Sequence, residues 1–282
     1  MRFEFQEDPS WPPLAWHAQI EPTASTVLVT HGARVETHDN WFCEGVWDGG
    51  FDEGAFVQSE NFFGSAGKIE DGTLRFVASC APLDRLHYAT VGGSWHVSNS
   101  LPCLLAQMQA DIDPTYQKFG EETFSIVQGI DRYNQTLETS QGTVSMSICR
   151  DLVWKINTLV KVDKCFPMRR FLRFKDYESF LLVSLANIAS NMRSATRKNP
   201  YLNFVSGISS GYDSPTVCAL VRKAGLREAF TFTKAKGGVE DDGTAVGERL
   251  GLRVYKIDRY LWKKKKSPEI PFMAAASKSS RP

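Results

Sequence analysis

The stretch YLNFVSGISSGYDSPTVCAL, residues 201–220, passes from an apolar run, LNFVSGI, through a knot of hydroxyls and glycine, SSGYDS, into a segment that opens with Pro215 and carries helical spacing. Strand, short turn and Pro-started helix in that order predict the first βα unit of a parallel sheet, with Ser209–Ser214 at the carboxyl end of the strand. Helix N-termini there present unpaired N–H groups and the positive end of the helix dipole, so the knot suits a polyphosphate. Gly211 lets the main chain approach a ligand, and Asp213 fits if Mg²⁺ stands between its carboxylate and the phosphates. A capped strand-to-helix turn accounts for the same residues with no ligand, and spacing alone leaves both readings open. Neither G-x-x-x-x-G-K-[ST] nor a G-x-G-x-x-G after a strand is present.

Downstream the alternation continues. EAFTFT predicts a second strand, EDDGTAVGERLG a helix that Gly251 ends, and LRVYKID a third strand. Upstream of Pro200, DYESFLLVSLANIASNMRSATRK predicts an amphipathic helix with Phe180, Leu181, Leu185, Ile188 and Met192 on one stripe and Asp176 as N-cap. The basic segment VDKCFPMRRFLRF reads as a linker, giving domains 1–165 and 166–282. From Thr26 to about Cys149 short β-rich runs alternate with glycine and polar turns, the clearest hairpin being YATVGGSWHV around Gly92 and Gly93. SLPCLLAQMQA, with Leu104, Leu105 and Met108 on one face, predicts one helix within them.

The chain has 282 residues, enough for two domains, and its formal charge of +1 supplies no global field for nucleic acid or an anionic membrane. Six scattered cysteines without a C-x-x-C pair exclude a zinc-ligand spacing, and neither a signal peptide nor a long apolar run is present. The expectation is a soluble protein of the reducing cytoplasm, with no membrane or nucleic-acid partner. His17, His31, His38, His87 and His96 are candidates for acid–base work, but no Ser or Cys stands at a recognisable spacing, and structural roles are preferred. Glu240, Asp241 and Asp242 suit the dipole of the helix that follows them, Cys218 lies with Val217 and Val221 on an apolar face, and Lys263–Lys266 reads as a solvated charge run.

Ser209-Ser210-Gly211-Tyr212-Asp213-Ser214 resembles the S-G-G-x-D-S loop of the PP-loop ATP pyrophosphatases, with Ser210 where that family usually has its first glycine. The second strand, the acidic pair and the A-x-x-x-x-L-G helix in EDDGTAVGERLGLRVYKID narrow the resemblance to asparagine synthetase-like proteins. APLDRLHYATVGGSWHVSNSLPCLLAQ and VQGIDRYNQTLETSQGTVSMSI resemble segments of the amidotransferase-like domain that precedes the synthetase domain there.

The resemblance implies an α+β region followed by α/β: an αββα sandwich of the N-terminal-nucleophile (Ntn) hydrolase type lacking its nucleophile, since residue 2 is Arg2 and the first cysteine is Cys43, then a partial, Rossmann-like PP-loop domain. It implies ATP and Mg²⁺ as cofactors, adenylation of a small-molecule carboxylate with release of pyrophosphate, and amide formation with an amine or ammonia, without glutaminase activity. Ser209, Ser210, Gly211 and Ser214 would bind phosphates, Tyr212 would belong to the same cofactor-binding loop, Asp213 would bind Mg²⁺ as the catalytic residue, and backbone near Ile208 and Phe232 would line the adenine pocket. Because the chain ends at Pro282, soon after the loop, it implies a fragment or truncated product, or a homo-oligomer or second polypeptide completing the site. A non-catalytic nucleotide-binding remnant and a tRNA-modifying PP-loop enzyme are the rival readings.

Overall fold

The computed structural model describes residues 1–113, 115–116, 125–234 and 238–260, so Lys263–Lys266 lie outside the described residues. The architecture is mixed α and β with three sheets, and the chain divides into two compact units. Among the described residues the first comprises Met1–Trp47 and Gly54–Pro167, and the second Asp48–Glu53 and 168–260. Among the described residues no helix is long and apolar enough to cross a membrane.

In chain order the first unit holds β1 (Arg2–Glu7), β2 (Trp16–Ile20), β3 (Thr26–His31), β4 (Glu36–Thr37), β5 (Trp41–Trp47), β6 (Phe62–Glu70), β7 (Thr73–Val77), β8 (Leu86–Val91), β9 (Ser94–Ser98), α1 (Leu101–Met108), β10 (Thr136–Thr139), β11 (Gly142–Ser147), β12 (Arg150–Lys155) and β13 (Thr158–Asp163). A seven-stranded sheet runs β1-β3-β2-β9-β8-β11-β10 and a six-stranded sheet β13-β12-β7-β6-β5-β4. All pairs are antiparallel except β1 with β3, which is parallel.

The sheets pack face to face because their alternating residues are large and apolar: Trp16, Ile20, Val29, Leu86 and Val97 from one meet Phe42, Leu74, Phe76 and Leu152 from the other. Trp16 stacks on Phe76 with ring centroids 5.8 Å apart and meets Phe42 edge-on at 4.9 Å. On the opposite face of the seven-stranded sheet, Leu101, Leu104 and Met108 of α1 cover Ala89, Leu137 and Val144. Ser100 caps α1 by accepting from the Cys103 N–H.

Strands β1 and β2 precede the expected β-rich region, and the β12–β13 hairpin follows its expected end at about Cys149, taking Val162 and Asp163 from the start of the expected linker. Phe3 and Trp16 are core residues despite the intervening Pro12 and Pro13, whose carbonyls accept the Ala15 and Arg34 amides. The β8–β9 turn matches the hairpin reading: Gly92 and Gly93 have φ of +60° and +89°, the left-handed values that a tight two-residue turn requires.

A polar knot interrupts the apolar core. Glu44 of β5, 6 % exposed, accepts hydrogen bonds from Ser65 Oγ at 2.7 Å and Asn99 Nδ2 at 3.2 Å. The Ser65 hydroxyl in turn accepts from Trp16 Nε1 at 2.8 Å, and Asn99 Oδ1 accepts from the Trp16 main-chain N–H at 2.9 Å. Burial pushes the Glu44 carboxyl up to about 8, with Asp84 adding to the rise and the Ser65 and Asn99 hydrogen bonds opposing it.

The second unit holds α2 (Phe174–Met192), β14 (Val205–Gly207), α3 (Asp213–Lys223), β15 (Glu228–Phe232), α4 (Thr244–Arg249) and β16 (Arg253–Ile257). Its sheet is parallel in the order β14-β15-β16, and Cys218 and Val221 of α3 with Val246 of α4 cover Ala229 and Val254 on one face. Val217, grouped with Cys218 in the sequence, is 48 % exposed instead.

Asp176 is not the N-cap of α2. Arg173 holds that position, and Asp176 lies in the first turn, where it pairs with the Arg173 guanidinium at 2.8 Å and faces the positive end of the dipole. Only Ile188 and Met192 of the expected stripe are fully buried. The segment Asp48–Glu53 is seated on the carboxyl end of α2: Asn191 Nδ2 donates to the Gly49 carbonyl at 2.8 Å, and the Arg197 guanidinium lies 4.2 Å from the centre of the buried Phe51 ring.

Candidate functional site

Strand β14 ends at Gly207, and Ile208 continues its direction by donating its N–H to the Phe230 carbonyl at 2.8 Å. The Ile208 side chain is core, packed with Cys218, Leu226, Ala229 and Leu252, so only its carbonyl is left to meet a ligand. Gly243, just before α4, lies against the peptide that joins Ile208 to Ser209: a Cβ there would stand 2.7–2.8 Å from Ile208 C and O and from Ser209 N. A bare backbone at 243 therefore positions the entry to the loop.

The loop closes on itself at its base. Ser209 N–H donates to Ser214 Oγ at 2.9 Å, the two hydroxyls are also 2.9 Å apart, and Gly211 N–H donates to Ser209 Oγ at 3.3 Å. Asp241 Oδ1 accepts from both the N–H and the hydroxyl of Ser210, each at 3.3 Å. The donors still open are the main-chain N–H groups of Tyr212, Asp213 and Ser214, which have no acceptor among the described residues. They are the first-turn donors that an α-helix cannot satisfy internally, and α3 is eleven residues long.

Gly211 is exposed, its φ is not in the left-handed region, and a Cβ on it would meet only Ser209 Oγ, at 3.4 Å. Nothing within the described chain requires glycine at 211. Asp213 is the first residue of α3 and is exposed, as is Tyr212. Among the described residues no group of three or more His, Cys, Asp or Glu side chains is placed to hold a metal ion. Asp213 is thus a single carboxylate beside unpaired amides, which fits Mg²⁺, an ion that takes one or two protein carboxylates and fills its shell with water and phosphate oxygens.

Phe232 ends β15 at the same, carboxyl, edge of the sheet. Its ring is half-buried, packs edge-on against Phe230 at 5.8 Å and carries the Arg259 guanidinium 4.2 Å from its centre. A planar base stacking there would share the ring with a cation.

The three acidic residues before α4 separate in role. Asp242 stands just before Gly243, the N-cap of α4, where it accepts from Thr244 N–H at 2.9 Å and from the Thr244 hydroxyl, and it pairs with Lys256 at 2.8 Å. The Lys256 hydrogen bond, followed by those from Thr244, holds its carboxyl down at about 2. Asp241 turns to the loop instead. Its main-chain N–H donates to the Thr233 carbonyl at 3.3 Å, and its own carbonyl accepts from Thr231 Oγ1 at 3.5 Å. Helix-dipole reasoning assigned Asp241 and Asp242 the same part; a contact spanning 31 residues, with no motif to mark it, distinguishes them.

The histidines lie in the first unit. His17 Nε2 and His96 Nδ1 are 3.0 Å apart on neighbouring strands β2 and β9, so one ring donates to the other. Burial, followed by the other ring's charge, holds His17 down at about 3, and burial with Arg85 does the same to His87. Groups so far from neutrality serve structure better than proton transfer near pH 7.

No protein-family model matches this chain, and no curated protein matches it.

Proposed function

We propose that this chain adenylates a carboxylate with ATP, releases pyrophosphate, and passes the acyl group to an amine or ammonia to form an amide. The observation that carries the reading is the trio of open N–H groups at Tyr212, Asp213 and Ser214, set at the carboxyl end of a parallel strand and opening an eleven-residue helix. Gly211, a glycine that internal packing does not need, supports it.

In the proposed reaction a carboxylate oxygen attacks the α-phosphorus and the bond to the bridging oxygen of the β-phosphate breaks. Negative charge then grows on the departing pyrophosphate, where the first-turn donors and the α3 dipole meet it without reorganising. The amine next attacks the acyl carbon, AMP leaves with its bonding pair, and the amine gives up a proton. Asp213 would hold Mg²⁺, which when bound would neutralise phosphate charge. Ser210, Ser209 and Ser214 would shape the loop, and Ile208 and Phe232 would border the adenine. In the same reading the two-sheet sandwich of the first unit is an Ntn-type amidotransferase-like domain.

One observation favours the rival, nucleotide binding without catalysis: Ser209 and Ser210 already spend their N–H groups inside the chain. ATP–pyrophosphate exchange, measured with Mg²⁺ and a panel of small carboxylates, separates the two. Exchange that Asp213→Ala abolishes is the expected result. Binding of ATP with no exchange would leave a nucleotide-binding chain, and absence of both would refute the phosphate-loop reading.

A further inference from the structure

We infer that Asp241 is a positioning residue of the Ser209–Ser214 loop, an internal stand-in for the anion that holds Ser210 until a phosphoryl group displaces it. The inference rests on the phosphate-binding reading above and concerns what sets affinity at that site.

Asp241 Oδ1 takes both donors that Ser210 offers, the main-chain N–H and the hydroxyl. A carboxylate oxygen accepting a backbone N–H at a helix-opening loop does what a phosphate oxygen would do there, with the same charge. Both contacts are 3.3 Å, at the long end for such bonds, so they are exchangeable. Asp241 is also placed by contacts of its own main chain. Its N–H reaches the carbonyl of Thr233, the residue after β15, its carbonyl takes the hydroxyl of Thr231 within β15, and that buried hydroxyl also receives the Gly243 N–H at 2.9 Å. No cation pairs with Asp241 among the described residues, whereas its neighbour Asp242 is spent on Lys256 and Thr244. Its charge therefore acts on the loop.

The same geometry gives Ser210 a purpose. Glycine, which the resembled loop carries at this position, would supply one contact to Asp241; serine supplies two. The pair makes a latch: an incoming anion must break two hydrogen bonds and approach a like charge. Removing the carboxylate should therefore tighten anion binding, whereas loss of a merely structural contact would loosen the loop and weaken it.

The experiment is calorimetric titration of the full chain with inorganic pyrophosphate, in EDTA and again with Mg²⁺, for wild type, Asp241→Ala, Asp241→Asn and Ser210→Ala, with melting temperatures recorded alongside. Asp241→Ala is expected to tighten binding in EDTA by about tenfold, the scale of one charge-assisted contact, and Ser210→Ala by about threefold. Asp241→Asn, which keeps the acceptor oxygen and loses the charge, should also gain affinity, and added salt should narrow its difference from wild type. Wild type that binds while all three variants bind equally or more weakly overturns the latch and leaves the loop reading standing. Asp241 variants that weaken binding only with Mg²⁺ overturn it too, by making Asp241 a metal ligand. Failure of every form to bind refutes the loop reading itself.

Discussion

Replacing Glu44 by Gln should make the first unit more stable near neutral pH and remove much of its alkaline sensitivity. Glu44 carries no countercharge in its knot with Ser65, Asn99 and Trp16, and its carboxyl is pushed up from its ordinary 4.5 to about 8. The folded chain thus holds a proton that the unfolded chain has released. Stability from this group is full below pH 4.5 and is lost as pH rises through about 8, at about 1.4 kcal/mol per unit and about 5 kcal/mol in all. Between pH 6.5 and 8 the wild type should lose about 2 kcal/mol to this group alone, a shift of about 1 M in a urea midpoint for a unit of this size.

Glutamine keeps an acceptor for Ser65 and Asn99 and has nothing to ionise, so its profile over that window should be nearly flat. Trp11, Trp16, Trp41, Trp47, Trp95 and Trp154 all lie in the first unit, so tryptophan fluorescence is a suitable probe. Parallel urea-midpoint profiles for wild type and Glu44→Gln between pH 6.5 and 8 would refute the reasoning, as would a mutant less stable at pH 8.

On the acid side, His17 and His87 are held down at about 3 in the fold, so stability present above pH 6.5 should fall as pH drops toward 3; Glu44→Gln melts at pH 6.5 and 5 read this without the carboxylate. Gly243→Ala should distort the loop entry, costing about 1–3 kcal/mol and sharply weakening pyrophosphate binding, because its Cβ meets the Ile208–Ser209 peptide at 2.7–2.8 Å; wild-type affinity in the mutant would contradict this. Asp151→Ala should cost about 3–5 kcal/mol in urea denaturation, since it strands the nearly buried Lys164 ammonium 2.8 Å away and loses the Arg75 pair and the Ala78 N–H bond. Ile156→Asn should stabilise by about 1 kcal/mol: Ile156 is 98 % exposed with φ of +48°, a conformation β-branched residues resist and asparagine tolerates.

The second unit was legible because its punctuation is local. Pro215 in the first turn of α3, Gly225 and Gly251 at φ of +113° and +68°, and short apolar strands between them mark each boundary without knowledge of the tertiary fold. The β12–β13 hairpin was not, because Ile156 and Asn157 form its left-handed turn and isoleucine gives no such signal. β1 and β2 were hidden by the prolines between them, whose carbonyls turn out to anchor the crossing. Within the site, Ser209–Ser214 announced itself, whereas Asp241 acquires its part only once β15 and its following loop bring it beside Ser210. The same holds for Glu44, an ordinary glutamate in sequence that becomes an acid only when two sheets close over it.

Asp48–Glu53 is borrowed by the second unit from the middle of the first, between β5 and β6. Severing the chain at Pro167 would therefore not yield a whole second unit: the Arg197 guanidinium would lose the Phe51 ring, and Asn191 would lose the Gly49 carbonyl. During synthesis those six residues leave the ribosome well over a hundred residues before α2 does, so the second unit matures only by reaching back for a part made earlier. A mutation at Phe51 should therefore be felt in the second unit.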